Sequence, residues 1–231
     1  MPLAFIQGRL IQFAHVPRSG GTAVENYLHA PFGRLGFLDR QFQHLAQGER
    51  WSKTSPQHLE AAAFERIIPK PWIAHSFAVV RNPEARIASA FRFQRDIEGR
   101  IPAEQSFTDW LAALEATLAT APHQFDNHAR PATDLVPDDA KIFRLEEGLL
   151  PLIDWLDQLE GARRGPREIA AANVFTAVRD YLGRQTRPEP EMTPAARQSI
   201  ARLYRADFLR FGYQPSAGTA TVTAKTEAGA P

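Results

Sequence analysis

Leu10-Ile11-Gln12-Phe13-Ala14-His15-Val16, then Pro17-Arg18-Ser19-Gly20-Gly21-Thr22, then Ala23-Val24-Glu25-Asn26-Tyr27-Leu28 reads as a strand, a glycine loop and a helix. The apolar run favours extended backbone and Pro17 ends it. Gly20 and Gly21 let backbone N–H groups come close to an oxyanion, and the helix that follows directs its positive end at the same point. Arg18 adds a permanent charge with forked donors, while the hydroxyls of Ser19 and Thr22 add further donors. Such a loop is a phosphate cradle, although Gly-Gly turns also serve as plain connections. The stretch lacks G-x-x-x-x-G-K-[ST], since neither the first glycine nor the lysine is in place. An ordinary P-loop NTPase is therefore disfavoured, and so is a kinase, which would also need a magnesium site.

Outward from this loop the pattern repeats. Phe77-Ala78-Val79-Val80-Arg81 is a second strand, Asn82 can cap a helix with Pro83 at its first position, and Ile87, Ala90 and Phe91 share one face. Lys141–Leu145 is a third strand, followed by an amphipathic stripe from Leu149 to Leu159 with Pro151 near its start. Ser106-Phe107-Thr108-Asp109 resembles a capping box ahead of Trp110, Leu111, Leu114 and Leu118. Thr193-Pro194 opens a final helix that Gly212 stops. Residues 31 to 72 have weaker periodicity and read as irregular, partly helical and site-lining. Strands alternating with helices predict an α/β fold, as one domain over residues 1–213 with a disordered tail over 214–231.

Composition narrows the function. Against 26 Asp and Glu stand 27 Lys and Arg in 231 residues, so no global positive field argues for nucleic acid and any anion site is local. The sequence has no cysteine, which excludes disulfides, thiolate metal sites and cysteine nucleophiles. No H-E-x-x-H and no carboxylate set at ligand spacing is present, so no metal is expected. Neither a signal peptide nor a membrane anchor is readable in the first 21 residues, and the expectation is a soluble, cytoplasmic protein.

Taken together, His15–Thr22 and Val79-Val80-Arg81-Asn82-Pro83-Glu84-Ala85-Arg86-Ile87-Ala88-Ser89-Ala90-Phe91 resemble the paired signatures by which sulfotransferases bind 3′-phosphoadenosine 5′-phosphosulfate (PAPS). The similarity continues through Ser55–Leu59, Phe125–Pro131, Phe143–Glu146 and Leu203–Tyr213, and is to bacterial proteins that look like the carbohydrate sulfotransferases of the Golgi. It implies a P-loop-like three-layer domain, a central parallel sheet flanked by helices. It also implies that Arg18, Ser19, Gly20, Gly21 and Thr22 embrace the 5′-phosphosulfate, while Arg81 and Ser89 hold the 3′-phosphate. Many relatives carry lysine where this chain has Arg18; an arginine there would act on the leaving phosphate by fixed charge rather than by donating a proton.

Transfer in line needs a base for the acceptor hydroxyl, and histidine suits that role. His58, between the two cofactor turns, is the first choice and His128 the second; each is otherwise a histidine with a structural hydrogen bond. Glu146 is an outside candidate, although an acid there more often caps or pairs. By resemblance Asn127, His128 and Arg130 bind acceptor or help shape the cofactor pocket, in a segment where Ala132 replaces a common glutamine. Trp51 and Trp72 could stack on sugar rings, but an aromatic in a domain of this size is more often core packing, and neither is assigned a role. The family analogy tilts the acceptor towards a carbohydrate. The competing reading is a non-catalytic protein that binds PAPS or its product, 3′-phosphoadenosine 5′-phosphate (PAP).

Overall fold

The computed structural model describes residues 1–172, 175–185 and 187–216. Its centre is a four-stranded sheet in the order β1-β2-β3-β4, made of β1 (Leu3–Ile6), β2 (Arg9–Ala14), β3 (Ile73–Val80) and β4 (Lys141–Arg144). β2, β3 and β4 run parallel, with Phe13 opposite Phe77 and Val79 opposite Phe143. The expected central parallel sheet is thus β2–β4, and ahead of it Gln7 and Gly8, at φ 48° and 74°, fold β1 back on β2 as an antiparallel hairpin that was not read from the sequence. The sheet is therefore mixed.

There are eight α-helices among the described residues, of which all but α2 and α6 follow from local signals already described: α1 (Gly21–Phe32), α2 (Ala61–Glu65), α3 (Pro83–Arg92), α4 (Phe107–Thr120), α5 (Leu150–Glu160), α6 (Phe175–Tyr181), α7 (Pro194–Leu203) and α8 (Arg205–Phe211). The Asn82 side chain accepts from the N–H groups of Glu84 and Ala85, Ser106 from Asp109, and Thr193 from Ala196, so three of the expected caps are made. The last helix is interrupted at Tyr204, whose side chain is buried with its hydroxyl donating to the Ala129 carbonyl at 2.6 Å. Alternation along the strands sorts the core into two faces. Phe13, Phe77 and Val79 pack against Val24 and Leu28 of α1 and Leu152, Ile153 and Leu156 of α5. Ala14, Ala78 and Val80 point the other way, towards Phe64 of α2 and Phe211 of α8. A separate cluster joins α3, α4, α7 and α8 through Ile87, Phe91, Trp110, Leu114, Ile200 and Phe208.

Residues 33 to 72 are short 3₁₀ turns around α2, as their weak periodicity suggested. Trp51 and Trp72 are not core packing: they are 57% and 63% exposed. Ser216, at the start of the expected tail, donates from its backbone and its hydroxyl to Glu84, and residues 217–231 lie outside the described residues. Among the described residues no helix is long and apolar enough to cross a membrane.

Candidate active site

The two loops singled out by sequence leave the carboxyl ends of β2 and β3, where open α/β sheets bind ligands. In the first, Arg18 and Gly20 take left-handed backbone at φ 67° and 82°. Gly20 precedes α1, which has neither a side-chain cap nor an acidic residue in its first turn, so its positive end is left for an anion. Ser19 is fully buried and its Oγ has no partner, an orphaned donor inside the cradle. Gly21 cannot carry a side chain: a Cβ there would lie 2.0 Å from His15 Nε2. His15 packs into the loop and its Nδ1–H donates to Glu25 Oε1 at 2.6 Å. Thr22 sits half-buried in the first turn of α1.

The second loop converges on the first. Arg18 Nε donates to Ser89 Oγ at 3.2 Å, and Arg81 Nη1 donates to the Arg18 carbonyl at 3.3 Å. Neither arginine has a carboxylate ion-pair partner among the described residues. Burial, with Arg81 and Arg92 nearby, pushes the Arg18 guanidinium down to about 10, which leaves it cationic at neutral pH. The end of α3 is different in kind: its first N–H groups are taken by Asn82. From this loop and helix it is the side chains of Arg81 and Ser89 that reach the first loop.

After α3 the chain continues as one π-helical turn, Phe93–Ile97, which sequence periodicity did not reveal. It places Phe93 between the two halves of the site. The Arg18 guanidinium lies 4.5 Å from the Phe93 ring centre, and the Phe93 and His128 rings are 5.3 Å apart. His128 is 5.2 Å from His58, and His58 is 4.7 Å from His15, so three buried histidine rings pack in a row. His58 Nδ1 bonds to Asp126 Oδ2 at 2.7 Å, and Ser55 donates to the same carboxylate from its N–H at 2.7 Å and from its hydroxyl. Burial works to raise the Asp126 carboxyl, but His58, His128 and Ser55 outweigh it and hold the group well below the usual carboxylate range. Burial, reinforced by His58, holds His128 well below the ordinary imidazole value, and the Gln94 amide nitrogen lies 2.9 Å from its Nδ1. His58, Asp126 and His128 also bring metal-ligand atom types within 4.8 Å of one another, a grouping the sequence spacing had not suggested; Nδ1 of each histidine is engaged by a protein partner.

Of the predicted site residues, Arg18, Ser19, Gly20, Gly21, Thr22, Arg81 and Ser89 fall together around one loop, with His128 reached through Phe93 and His58 through His15. Arg130 lies in ion pairs with Glu60 at 2.5 Å and Asp134 at 2.9 Å. Glu146 accepts from the Asn82 N–H and the Tyr213 hydroxyl, both at 2.8 Å, which occupies both its oxygens. Asp126, Ser55, Phe93 and Gln94 were not singled out by sequence. A carboxylate two residues from His128 was the available signal for Asp126.

The buried neutral histidines make stability depend on pH. Burial lowers His15 as well as His128, so below about pH 6.5 the unfolded chain binds protons that the native one refuses, and stability falls as pH falls. Each histidine that stays neutral removes about 1.4 kcal/mol per pH unit. The Asp126 contribution has the same sign in a lower window, intact above the ordinary carboxylate value and lost only in stronger acid. Urea midpoints at pH 7.5 and pH 5.5 should therefore differ, and His128→Phe should shrink the difference; equal midpoints in wild type would contradict the assignment.

No curated protein and no solved structure matches the chain. The family model described as "Sulfotransferase family" matches residues 7–214, nearly the whole sequence and every residue of the site just described, so the chain belongs to the sulfotransferase family.

Proposed function

We propose that the protein transfers a sulfuryl group from PAPS to a hydroxyl, acting in the cytoplasm as one domain over residues 1–213, with a carbohydrate or glycoconjugate as acceptor. The observation that carries the reading is the convergence of Arg18, Arg81 and Ser89 on the uncapped start of α1. Two arginines without carboxylate ion-pair partners and an orphaned buried hydroxyl fit a ligand with phosphates at two positions. Bound PAPS supplies an activated sulfuryl group on a phosphate leaving group. Ser19 through Thr22 and Arg18 would hold that end, and Arg81 with Ser89 the 3′-phosphate. The acceptor hydroxyl would give its proton to His58 while its oxygen bonds to sulfur and the sulfur–phosphate oxygen bond breaks, the electron pair leaving with PAP. Arg18 and the start of α1 would stabilise the charge that grows on the departing phosphate. His128 would line the acceptor side; Arg130 could join it only by leaving two carboxylates.

Calorimetric titration with PAP tests the cofactor half directly. Wild type should bind, and Arg81→Ala should weaken binding by about 100-fold, the loss of a charge-assisted contact of about 3 kcal/mol. Well-folded wild type that does not bind PAP would end the proposal. Radiolabelled PAPS offered with a panel of desulfated polysaccharides then tests transfer.

A further inference from the structure

Phe125, Asp126 and Asn127 are three successive non-glycine residues in left-handed backbone, at φ 58°, 54° and 61°. Each position is disfavoured by about 1–2 kcal/mol for an L-residue, and such strain survives only where the surroundings over-determine it. The surroundings here are specific. Phe125 is buried against Trp110, with ring centres 6.2 Å apart. Asn127 Nδ2 donates to the His58 carbonyl at 2.8 Å. Between these anchors the Asp126 carboxylate accepts from Ser55 and from His58 Nδ1. The strained stretch thus grips His58 twice, by its backbone through Asn127 and by its ring through Asp126.

A plain structural clasp between residues 55–58 and 125–128 would need only the Ser55 and Asn127 bonds. The contact to Nδ1 does something more, because a neutral imidazole has one N–H and one lone pair. With the N–H donated from Nδ1 to a carboxylate, the lone pair is fixed at Nε2, the one ring nitrogen left to take a proton. The ring is also held in orientation, and the imidazolium formed after proton uptake would lie beside an anion.

We propose that Asp126 is the positioning residue of the transfer reaction: it fixes the tautomer and orientation of His58 so that Nε2 receives the acceptor proton. The inference rests on the sulfotransferase reading above and adds a residue that acts through the base rather than on substrate.

Asp126→Asn separates this role from a structural one. The amide still accepts from Ser55, but it can present an N–H to Nδ1 and so move the ring proton to Nε2. Nitrogen-15 histidine spectra of wild type, recorded with PAP bound, should show the His58 proton on Nδ1, and those of the variant should show it on Nε2. Transfer of labelled sulfate from PAPS to fully desulfated heparin should fall at least about 100-fold, in the range seen when a histidine base loses its orienting carboxylate. The dissociation constant for PAP should change by less than about twofold, since Asp126 does not touch the cofactor loops. A wild-type spectrum with the proton on Nε2 overturns the proposal whether or not the variant folds. Unchanged transfer by Asp126→Asn also overturns it and leaves sulfuryl transfer standing. Wild type that binds no PAP overturns the sulfotransferase reading and this inference with it.

Discussion

Arg18→Ala is expected to slow sulfuryl transfer about 1,000-fold while weakening PAP binding only about tenfold. The asymmetry follows from where charge develops. On the proposed reading the anions of the donor would be shared in the ground state among Arg81, Ser89, the start of α1 and Arg18, so removing one cation would leave most of the binding. During transfer from PAPS the breaking sulfur–oxygen bond would put new negative charge on the 5′-phosphate, and a half-buried cation such as Arg18 beside it would be worth far more than in water. Loss of one preorganised donor at such a centre costs about 100- to 1,000-fold, and a full charge belongs at the upper end. The guanidinium is already oriented, by Ser89 at 3.2 Å and by the Phe93 ring at 4.5 Å. Arg18→Lys should therefore keep transfer within about tenfold, because charge rather than fork geometry does the chemistry, whereas Arg18→Gln should behave like alanine. Single-turnover rates with labelled PAPS, beside PAP titrations, measure both quantities. Parallel losses in rate and binding would make Arg18 an anchor with no special part in the reaction. Wild type that binds PAP and turns over no PAPS with any acceptor would favour the non-catalytic reading.

What the sequence made legible divides along the distance between partners. The glycine loop, the Asn82 and Thr193 caps and the Ser106–Asp109 box are each written within a few residues, where turn and capping chemistry is local, and each appears where the pattern put it. The antiparallel β1 was missed because Gln7-Gly8 is a weak hairpin signal beside Asn-Gly or Asp-Gly. Asp126 and His58 are 68 residues apart, and no periodicity marks a pair that only tertiary packing brings to 2.7 Å. The π-helical turn at Phe93 hides for a related reason: one inserted residue shifts the helical face without changing composition. Tyr204 breaks the last helix where sequence shows only a continuing apolar stripe, because its buried hydroxyl is committed to the Ala129 carbonyl.

The same distance rule conceals the residue that ties down the segment after His128. Arg86 lies inside the second signature, four residues after the Asn82 cap, and could pass for a surface charge; it is fully buried. It donates to the carbonyls of His128 and Arg130, at 3.4 and 2.9 Å, and pairs with Asp207 at 3.4 Å. Asp207 in turn accepts from the N–H groups of Ala132 and Thr133 at 2.8 and 2.9 Å. One ion pair between α3 and α8 thereby closes over residues 128 to 133, directly after the strained turn that holds His58. Removing either partner leaves the other charge buried and alone, so Arg86→Met and Asp207→Leu should each lower the free energy of unfolding by about 3–5 kcal/mol. Arg86→Met with Asp207→Leu should cost much less than the sum of the single changes, because it buries no charge; the backbone groups it abandons set the remainder. Urea midpoints of the four proteins close the cycle. Additive losses would mean that the two side chains act on residues 128 to 133 separately. A strongly non-additive cycle would mean that the pair is a single fastening, and that transfer lost in either single variant is lost by release of this segment rather than by damage to the cofactor loops.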